Sequence, residues 1–306
     1  MTKHYKILPV ILGPTASGKT NLAVHLANEI KGEIISADSR QVYKKMDIGT
    51  GKDLDEYTLD DKDIPYHLID ICEPGFKYNI NLFYKDFVKA IEEIKTTPIL
   101  CGGSGLYLQT ALEGNELSEI PVNDNLRAEL NELEKPALEL RFDKIPAELK
   151  AKLDNSSLKR LIRAIEIAEY LKNNPYPSIS KPDLHPVLFG IYIPREERRK
   201  RISIRLKDRL DNGMIEEVQE LQKTVSNEDL KYYGLEYLFI TEFLEGQYDK
   251  SELFRRLEIA IHQFSKRQMT WFRKMEKDGY LINWLKHDLP LQDKVDLVIQ
   301  KIKSIA

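Results

Sequence analysis

Gly13-Pro-Thr-Ala-Ser-Gly-Lys-Thr20 decides the fold of this chain. It fits the pattern G-x-x-x-x-G-K-[ST] and follows directly on the apolar run Ile7 to Leu12. It leads into a stretch in which Leu22, Ala23, Leu26, Ala27 and Ile30 share one helical face. Strand, glycine loop and helix form the context in which this pattern holds phosphate. Gly13 and Gly18 let the backbone curl so that successive N–H groups converge, and the start of the helix adds positive potential at the same spot. Pro14, Thr15, Ala16 and Ser17 complete the loop, Lys19 would reach the outer phosphate oxygens, and the Thr20 hydroxyl would ligate Mg²⁺. The loop identifies a di- or triphosphate ligand and leaves its use open.

Composition sets limits around that loop. At 306 residues, 42% hydrophobic and 31% charged, the chain can build one large or two modest domains. A net charge of −3 does not decide for or against a nucleic-acid partner, because phosphates respond to charge within about 8–10 Å and local clusters matter more. No apolar run reaches the ~20 residues of a membrane span, so no membrane partner is expected. Met1 to Leu12, with Lys3 and Lys6 ahead of the apolar run, has a signal-peptide outline, but cleavage there would remove the strand that supports the loop. Cys72 and Cys101 each close a strand-like run and read as buried free thiols, which places the chain in a reducing, cytoplasmic compartment. There is no Cys-x-x-Cys and no Cys/His array, so zinc is not expected. A monomer is expected.

Along the chain, Glu33-Ile-Ile-Ser-Ala37 predicts a second strand ending at Asp38-Ser-Arg-Gln41. In a doubly wound sheet ligands gather at the carboxyl ends of strands, which puts Asp38 near the loop. Two readings of Asp38 stand level: a metal ligand or base, and a cap on the following turn. Residues 46–51 and the acidic stretch 53–63 read as surface loop. His67 to Ile71 is a third strand candidate, and Phe83, Phe87, Ile91 and Ile94 mark an amphipathic crossover helix. Pro98 to Ser104 reads as strand and glycine turn, followed by a short helix from Leu106 to Leu112. Strand signals then stop until Val187 to Ile193, with helices at 123–134 and 156–172 separated by Pro136 and Pro146. The rest is helical except for an edge strand at 280–285. The expected fold is therefore α/β: a P-loop NTPase-like parallel sheet with flanking helices (1–117 and 184–306) and a small all-helical insertion domain (118–183). Pro9 fits poorly, since it removes a ladder donor from a central strand.

Three basic clusters flank the loop. Between Arg195 and Arg209 eight basic residues stand against three acidic ones, with Arg198, Arg201, Arg205 and Arg209 on one side and Ile202, Leu206 and Leu210 on a neighbouring apolar face. Most of those arginines read as a solvated face, with one or two aimed at bound phosphate. Lys159, Arg160 and Arg163 lie opposite Leu158, Leu161, Ile162 and Ile165. The run Lys266 to Lys274 mixes cations with Trp271 and Phe272, as a polynucleotide site does, although Ile261, Phe264, Trp271 and Met275 also trace a packing face.

Together these segments resemble the tRNA dimethylallyltransferase family, also called tRNA isopentenyltransferase. The resemblance covers nearly the whole chain. Its motifs are the loop at 13–20, Ser-Ala-Asp-Ser-Arg-Gln-Val-Tyr at 36–43, Met-Asp-Ile-Gly-Thr at 46–50 and Gly-Gly-Ser-Gly-Leu-Tyr at 102–107. They continue with Arg160-x-x-Arg163-Ala-x-Glu166 and Lys-Arg-Gln-x-Thr-Trp-Phe-Arg at 266–273. It implies transfer of a dimethylallyl group from dimethylallyl diphosphate to N6 of the adenosine 3′ of the tRNA anticodon, with release of diphosphate and a requirement for Mg²⁺. It also implies roles: Asp38 as general base, Ser104 (a threonine in most of the family) on the diphosphate, and Arg205 beside the loop as a further diphosphate contact. Asp38, Ser39, Arg40 and Gln41 would grip the target adenosine, and Arg127, Lys159, Arg160 and Arg163 would contact the tRNA from the insertion.

The chain departs from the family at Gly234-Leu-Glu-Tyr237, where a basic residue is usual, at Ile261-His262, and at Asn174-Pro-Tyr-Pro in a short insertion. Competing readings are an isopentenyltransferase acting on free adenine nucleotides, a P-loop small-molecule kinase using ATP, and a nucleotide-binding switch. The extended basic surface favours tRNA over a mononucleotide, and the chain has no Asn-Lys-x-Asp guanine signature.

Overall fold

In the computed structural model, which describes residues 6–179 and 181–305, the apolar run before the glycine loop is strand β1 (Lys6–Leu12) and the pattern after it is helix α1 (Lys19–Ile30). Lys3, part of the signal-peptide outline, lies outside the described residues. The chain continues through β2 (Gly32–Ser36), a 3-10 turn at Leu54–Tyr57, the small hairpin β3 (Thr58–Leu59) and β4 (Lys62–Asp63), and β5 (Tyr66–His67). Next come α2 (Ile80–Glu93), β6 (Thr97–Gly102) and α3 (Gly105–Glu113). After the helices α4 (Asp124–Asn131), α5 (Lys135–Asp143), α6 (Ala147–Lys150) and α7 (Leu158–Asn173), the sheet resumes with β7 (Leu184–Tyr192). It is followed by α8 (Arg195–Asp211), α9 (Met214–Leu221), α10 (Asn227–Tyr232), α11 (Leu235–Leu244), α12 (Lys250–Lys277), β8 (Ile282–Lys286) and α13 (Leu291–Lys303).

Six strands form one sheet in the order β5-β2-β6-β1-β7-β8, every neighbouring pair parallel. Parallel strands are covered on both faces and so read as continuous apolar runs; accordingly Leu8, Val10, Ile11 and Leu12 of β1 are all fully buried. On one face Leu22, Ala23 and Leu26 of α1 and Val295 and Val298 of α13 join Val187, Phe189 and Ile191 in a common core. Pro9 is accommodated because β1 pairs with β6 only from Val10 onward, while its ladder with β7 runs from Lys6 to Leu12. Helix α2 buries Phe83, Phe87 and Ile91, with Ile94 just beyond it. Its ends are closed by Asn79, which accepts the Asn81 and Leu82 N–H groups, and by Lys6 Nζ, which donates to the Ile91 and Ile94 carbonyls at 3.2 and 2.8 Å. Truncating Phe83 or Phe87 to alanine would cost about 3–5 kcal/mol.

Two sequence expectations need correction. The third strand is only the two-residue edge β5, because Leu68 and Asp70 take left-handed backbone (φ 63° and 56°) that ends the pairing. Residues 46–51 are not a surface loop: Met46 is fully buried, Gly49 and Gly51 are buried, and so is the adjoining Lys52.

The chain divides into two compact units, residues 1–113 with 181–306, and residues 114–180; the expected borders lay a few residues later, at 118 and 183. The smaller unit has its own core of Leu130, Leu138, Phe142, Leu161, Ile162 and Ile165. Pro136 lies between α4 and α7 as expected, and falls in the first turn of the intervening α5, where a missing N–H costs nothing. Among the described residues no helix is long and apolar enough to cross a membrane.

Candidate active site

Because all six strands run the same way, the turns after β1, β2 and β6 emerge at one edge of the sheet. After β1, Gly18 sits at φ 83° as the residue capping α1, and no side chain caps that helix. Ala16 shares the left-handed region at φ 60°. Left-handed residues within such a turn aim successive N–H groups to one side, which is the geometry that takes an anion. Lys19 is held below the ordinary lysine pKa by burial, and the nearby Arg205 charge pushes the same way. An incoming anion would counter both by favouring the charged ammonium.

A cavity of about 670 Å³ opens at this edge. Its floor is Thr15, Ala16, Ser17, Gly18, Lys19 and Thr20; its sides include Asp38, Ser39, Arg40 and Gln41 after β2, Ser104 after β6, and Arg205 on α8. Gly13 and Pro14 are buried behind the floor and do not line the cavity. The turn reading of Asp38 has a contact behind it, since its Oδ1 accepts the Arg40 N–H at 2.8 Å, and the residue also lines the cavity, where a base or metal ligand would stand. Gln41 accepts from the Ser36 hydroxyl at 2.7 Å and donates to the Gly51 carbonyl at 3.1 Å, so it ties β2 to the next loop.

Several lining residues were not singled out from sequence. Asp53 accepts from Arg205 and, at 3.2 Å, from Arg209. Burial pushes its carboxyl up, and the two guanidinium groups more than offset this, leaving it below the ordinary aspartate range. Glu236 also lines the cavity and is pushed up by burial, with Arg209 and Arg205 opposing. Tyr232, 48% exposed, stands at the wall with the Arg40 guanidinium 5.3 Å from its ring centroid. On α12 the buried face runs Ile261, Ser265, Gln268, Phe272 and Met275, so Phe264, expected in that face, turns out to line the cavity beside Arg267. Trp271 is half-buried against Gly105.

The loop carrying Gly49, Gly51 and Asp53 is built from both ends. Glu217 on α9 accepts the N–H groups of Asp47, Ile48 and Gly49 at 2.8, 2.7 and 3.0 Å, and the Tyr237 hydroxyl at 2.7 Å. Lys52 donates to the Tyr43 carbonyl at 2.7 Å, to Asp47 at 2.5 Å and to Asp70. A buried ammonium persists only when paired and hydrogen-bonded, and Lys52 meets both conditions. Glu217 has no local sequence signal because its partners at 47–49 are about 170 positions away, and Lys52, though near Asp47, is closed in by Asp70 from a later turn.

Within the smaller unit, Glu166 is 1% exposed and gathers Arg127 through two contacts at 3.0 Å, Arg163, and the Asn123 N–H at 2.7 Å. Burial raises its pKa, but the two arginines bring it below the ordinary glutamate value. Arg163 also donates to the Ile120 carbonyl at 2.6 Å. Arg127 and Arg163 therefore brace this unit, whereas Lys159 and Arg160 sit exposed at the start of α7, Arg160 paired with Asp154 at 2.7 Å. Among the described residues no group of three or more His, Cys, Asp or Glu side chains is placed to hold a metal. Cys101 and Cys72 are free; Cys101 is buried as expected but Cys72 is only half-buried, and desolvation raises their thiols to about 12 and about 11.

Comparison with known proteins agrees with this geometry. The chain is 50% identical over 302 residues to a tRNA dimethylallyltransferase 2 of Phocaeicola vulgatus, covering 97% of this chain and 98% of that one. A tRNA dimethylallyltransferase 2 of Bacteroides fragilis is 49% identical over 301 residues, covering 97% and 98%. The crystal structure of the tRNA isopentenylpyrophosphate transferase of Bacillus halodurans superposes with a TM-score of 0.71 at 29% identity, covering 98% of this chain and 96% of that one. An isopentenyl transferase model matches residues 6–64, and the IPP transferase model matches residues 41–275. The chain belongs to the IPP transferase family.

Proposed function

We propose that this chain transfers a dimethylallyl group from dimethylallyl diphosphate to N6 of the adenosine beside the anticodon of tRNA. The observation that carries this reading is a single cavity with an anion-binding loop at one end and the Asp38 carboxylate in its side wall. The relatives named for that activity support it along nearly the full chain.

In the proposed step the adenine amine attacks C1 of the prenyl group, the C1–O bond breaks, and diphosphate leaves with the electron pair. Positive charge develops on the allylic carbon and negative charge on the departing oxygens. Fixed N–H groups of the loop, the Lys19 ammonium, the Arg205 guanidinium held in place by Asp53, and the Ser104 hydroxyl stabilise that negative charge. The amine is weakly nucleophilic because its lone pair is delocalised into the ring, so Asp38 takes its proton as the new bond forms. Ser39, Arg40 and Gln41 border the space for the adenosine, and the exposed Tyr232 ring beside Arg40 offers a stacking surface. Mg²⁺ would be held by Thr20 together with diphosphate oxygens and water. That mode suits a hard cation which keeps part of its water shell, and it fits a chain without a cluster of three carboxylate or histidine ligands among its described residues. When bound, the ion neutralises charge on the leaving group. Lys159 and Arg160 would contact tRNA phosphates, Arg127 would take part through the N–H groups that Glu166 leaves, and Arg163, whose terminal N–H groups also meet the Pro121, Leu117 and Ile120 carbonyls, would take part by holding that surface in shape. We also propose that the enzyme is cytoplasmic and acts as a monomer.

Competition between acceptors tests the reading. With dimethylallyl diphosphate and Mg²⁺ supplied, unmodified tRNA should be prenylated while AMP, ADP and ATP are not. Preferential prenylation of a free nucleotide would transfer the chain to the rival branch.

A further inference from the structure

Gln268 lies on the buried face of α12 and is the residue through which that helix reaches both glycine turns at the sheet edge. Its Oε1 accepts the Thr15 N–H of the phosphate loop at 2.9 Å, and its Nε2 donates to the Gly103 carbonyl, next to Ser104, at 3.0 Å. The two turns are already close. A Cβ on Gly103 would fall 2.6 Å from Gln268 Nε2 and 3.0 Å from the Gly13 carbonyl oxygen, so only glycine allows this approach. One turn further along α12 the Trp271 ring covers Gly105 and leaves no room for a side chain there. The stretch Gly103 to Gly105 is thus held on both sides of Ser104 by one helix.

A primary amide suits this place. It supplies one acceptor and one donor on a rigid plane, whereas a carboxylate cannot donate and an ammonium cannot accept. The Thr15 N–H is also taken out of the set that can turn to an anion. We propose that Gln268 is a positioning residue that fixes the gap between the phosphate loop and the Ser104 hydroxyl, so that a diphosphate seated on the loop meets that hydroxyl at its departing oxygen. This rests on the prenyl-transfer reading of the cavity and on Ser104 acting there.

The test is steady-state kinetics of Gln268→Ala and Gln268→Met, each alone and combined with Ser104→Ala, with binding of inorganic diphosphate measured alongside. Misplacing a catalytic group by an ångström costs up to about 100-fold, so kcat should fall about 10- to 100-fold. Diphosphate affinity should move by less than about threefold, because one loop N–H at most changes direction. In the Ser104→Ala background the same substitution should cost less than about threefold, since the group it positions is gone. Gln268→Met keeps the length and packing of the side chain and adds no charge, but it cannot donate to the Gly103 carbonyl and accepts only weakly from the Thr15 N–H. It should show the same kcat loss with a smaller fall in melting temperature than the alanine variant, and so decides the matter if the alanine variant loosens α12. Penalties that multiply in the double variants, unchanged kcat in Gln268→Met, or diphosphate affinity falling in step with kcat would each overturn the proposal. Wild-type protein that prenylates no tRNA would instead remove the underlying reading before any variant is compared.

Discussion

The Arg40 guanidinium lies 5.3 Å from the centroid of the Tyr232 ring at the cavity wall. Tyr232 is 48% exposed there, so one face of its ring is open to the cavity. If an RNA base stacks on it, Tyr232→Ala should raise the KM for tRNA about 5- to 100-fold, with Tyr232→Phe close to wild type. The loss should be the same at low and high salt, because stacking releases no counterions. Titrating tRNA at several salt concentrations checks this, and a salt-dependent loss would assign Tyr232 a merely electrostatic part through Arg40.

Lys159→Ala with Arg160→Ala should behave in the opposite way. Removing two phosphate contacts should weaken tRNA binding most at low salt and reduce the slope of log K against log salt by about 1.5. Arg163→Ala should instead lower stability, because it leaves Glu166 short of one partner in a buried site. Thermal melts separate the two classes.

Asp38→Asn keeps an acceptor for the Arg40 N–H but cannot take a proton. It should bind both substrates and lose about 10²- to 10⁴-fold in kcat. Single-turnover rates with tRNA prebound measure the step directly.

Two carboxyls in the same cavity should give opposite pH signatures. Asp53 is depressed in the folded state, so its contribution is present above the unfolded aspartate pKa of about 3.9 and is lost as pH falls through the folded value. Glu236 is raised, so its contribution is full below the unfolded pKa of about 4.3 and is lost as pH rises through the folded value. Asp53→Asn should therefore lower the melting temperature at pH 7, with a penalty that shrinks below about pH 4. Glu236→Gln should raise it at pH 7, with a gain that disappears near pH 4. Melting curves across that range read both signs.

Glu217→Ala strands three backbone N–H groups and the Tyr237 hydroxyl, and should cost about 2–4 kcal/mol. Hydrogen exchange at residues 47–49 should rise more than at β1.

What could be read from sequence was what local rules govern. The loop at 13–20 carries its own context of strand and helix, and Asp38 follows from the rule that turns after parallel strands converge. The 46–53 segment escaped because its burial depends on distant partners: Glu217 lies 170 positions from Asp47, and Lys52 looks like a surface lysine until Asp70 is placed beside it. Periodicity over His67 to Ile71 was overridden by the left-handed turns at Leu68 and Asp70 that deliver that aspartate. On α12 several apolar residues compete for the inner face, and polar Gln268 wins a buried place through two backbone partners that no spacing rule reveals.

The most direct measurement is incubation with dimethylallyl diphosphate, Mg²⁺ and unmodified tRNA, with released diphosphate and the digested nucleosides quantified together. The expected result is one diphosphate released per N6-dimethylallyladenosine formed beside the anticodon, with no nucleotide hydrolysed. ADP appearing in step with product when ATP is present, or an unaltered anticodon loop, would contradict the proposed chemistry.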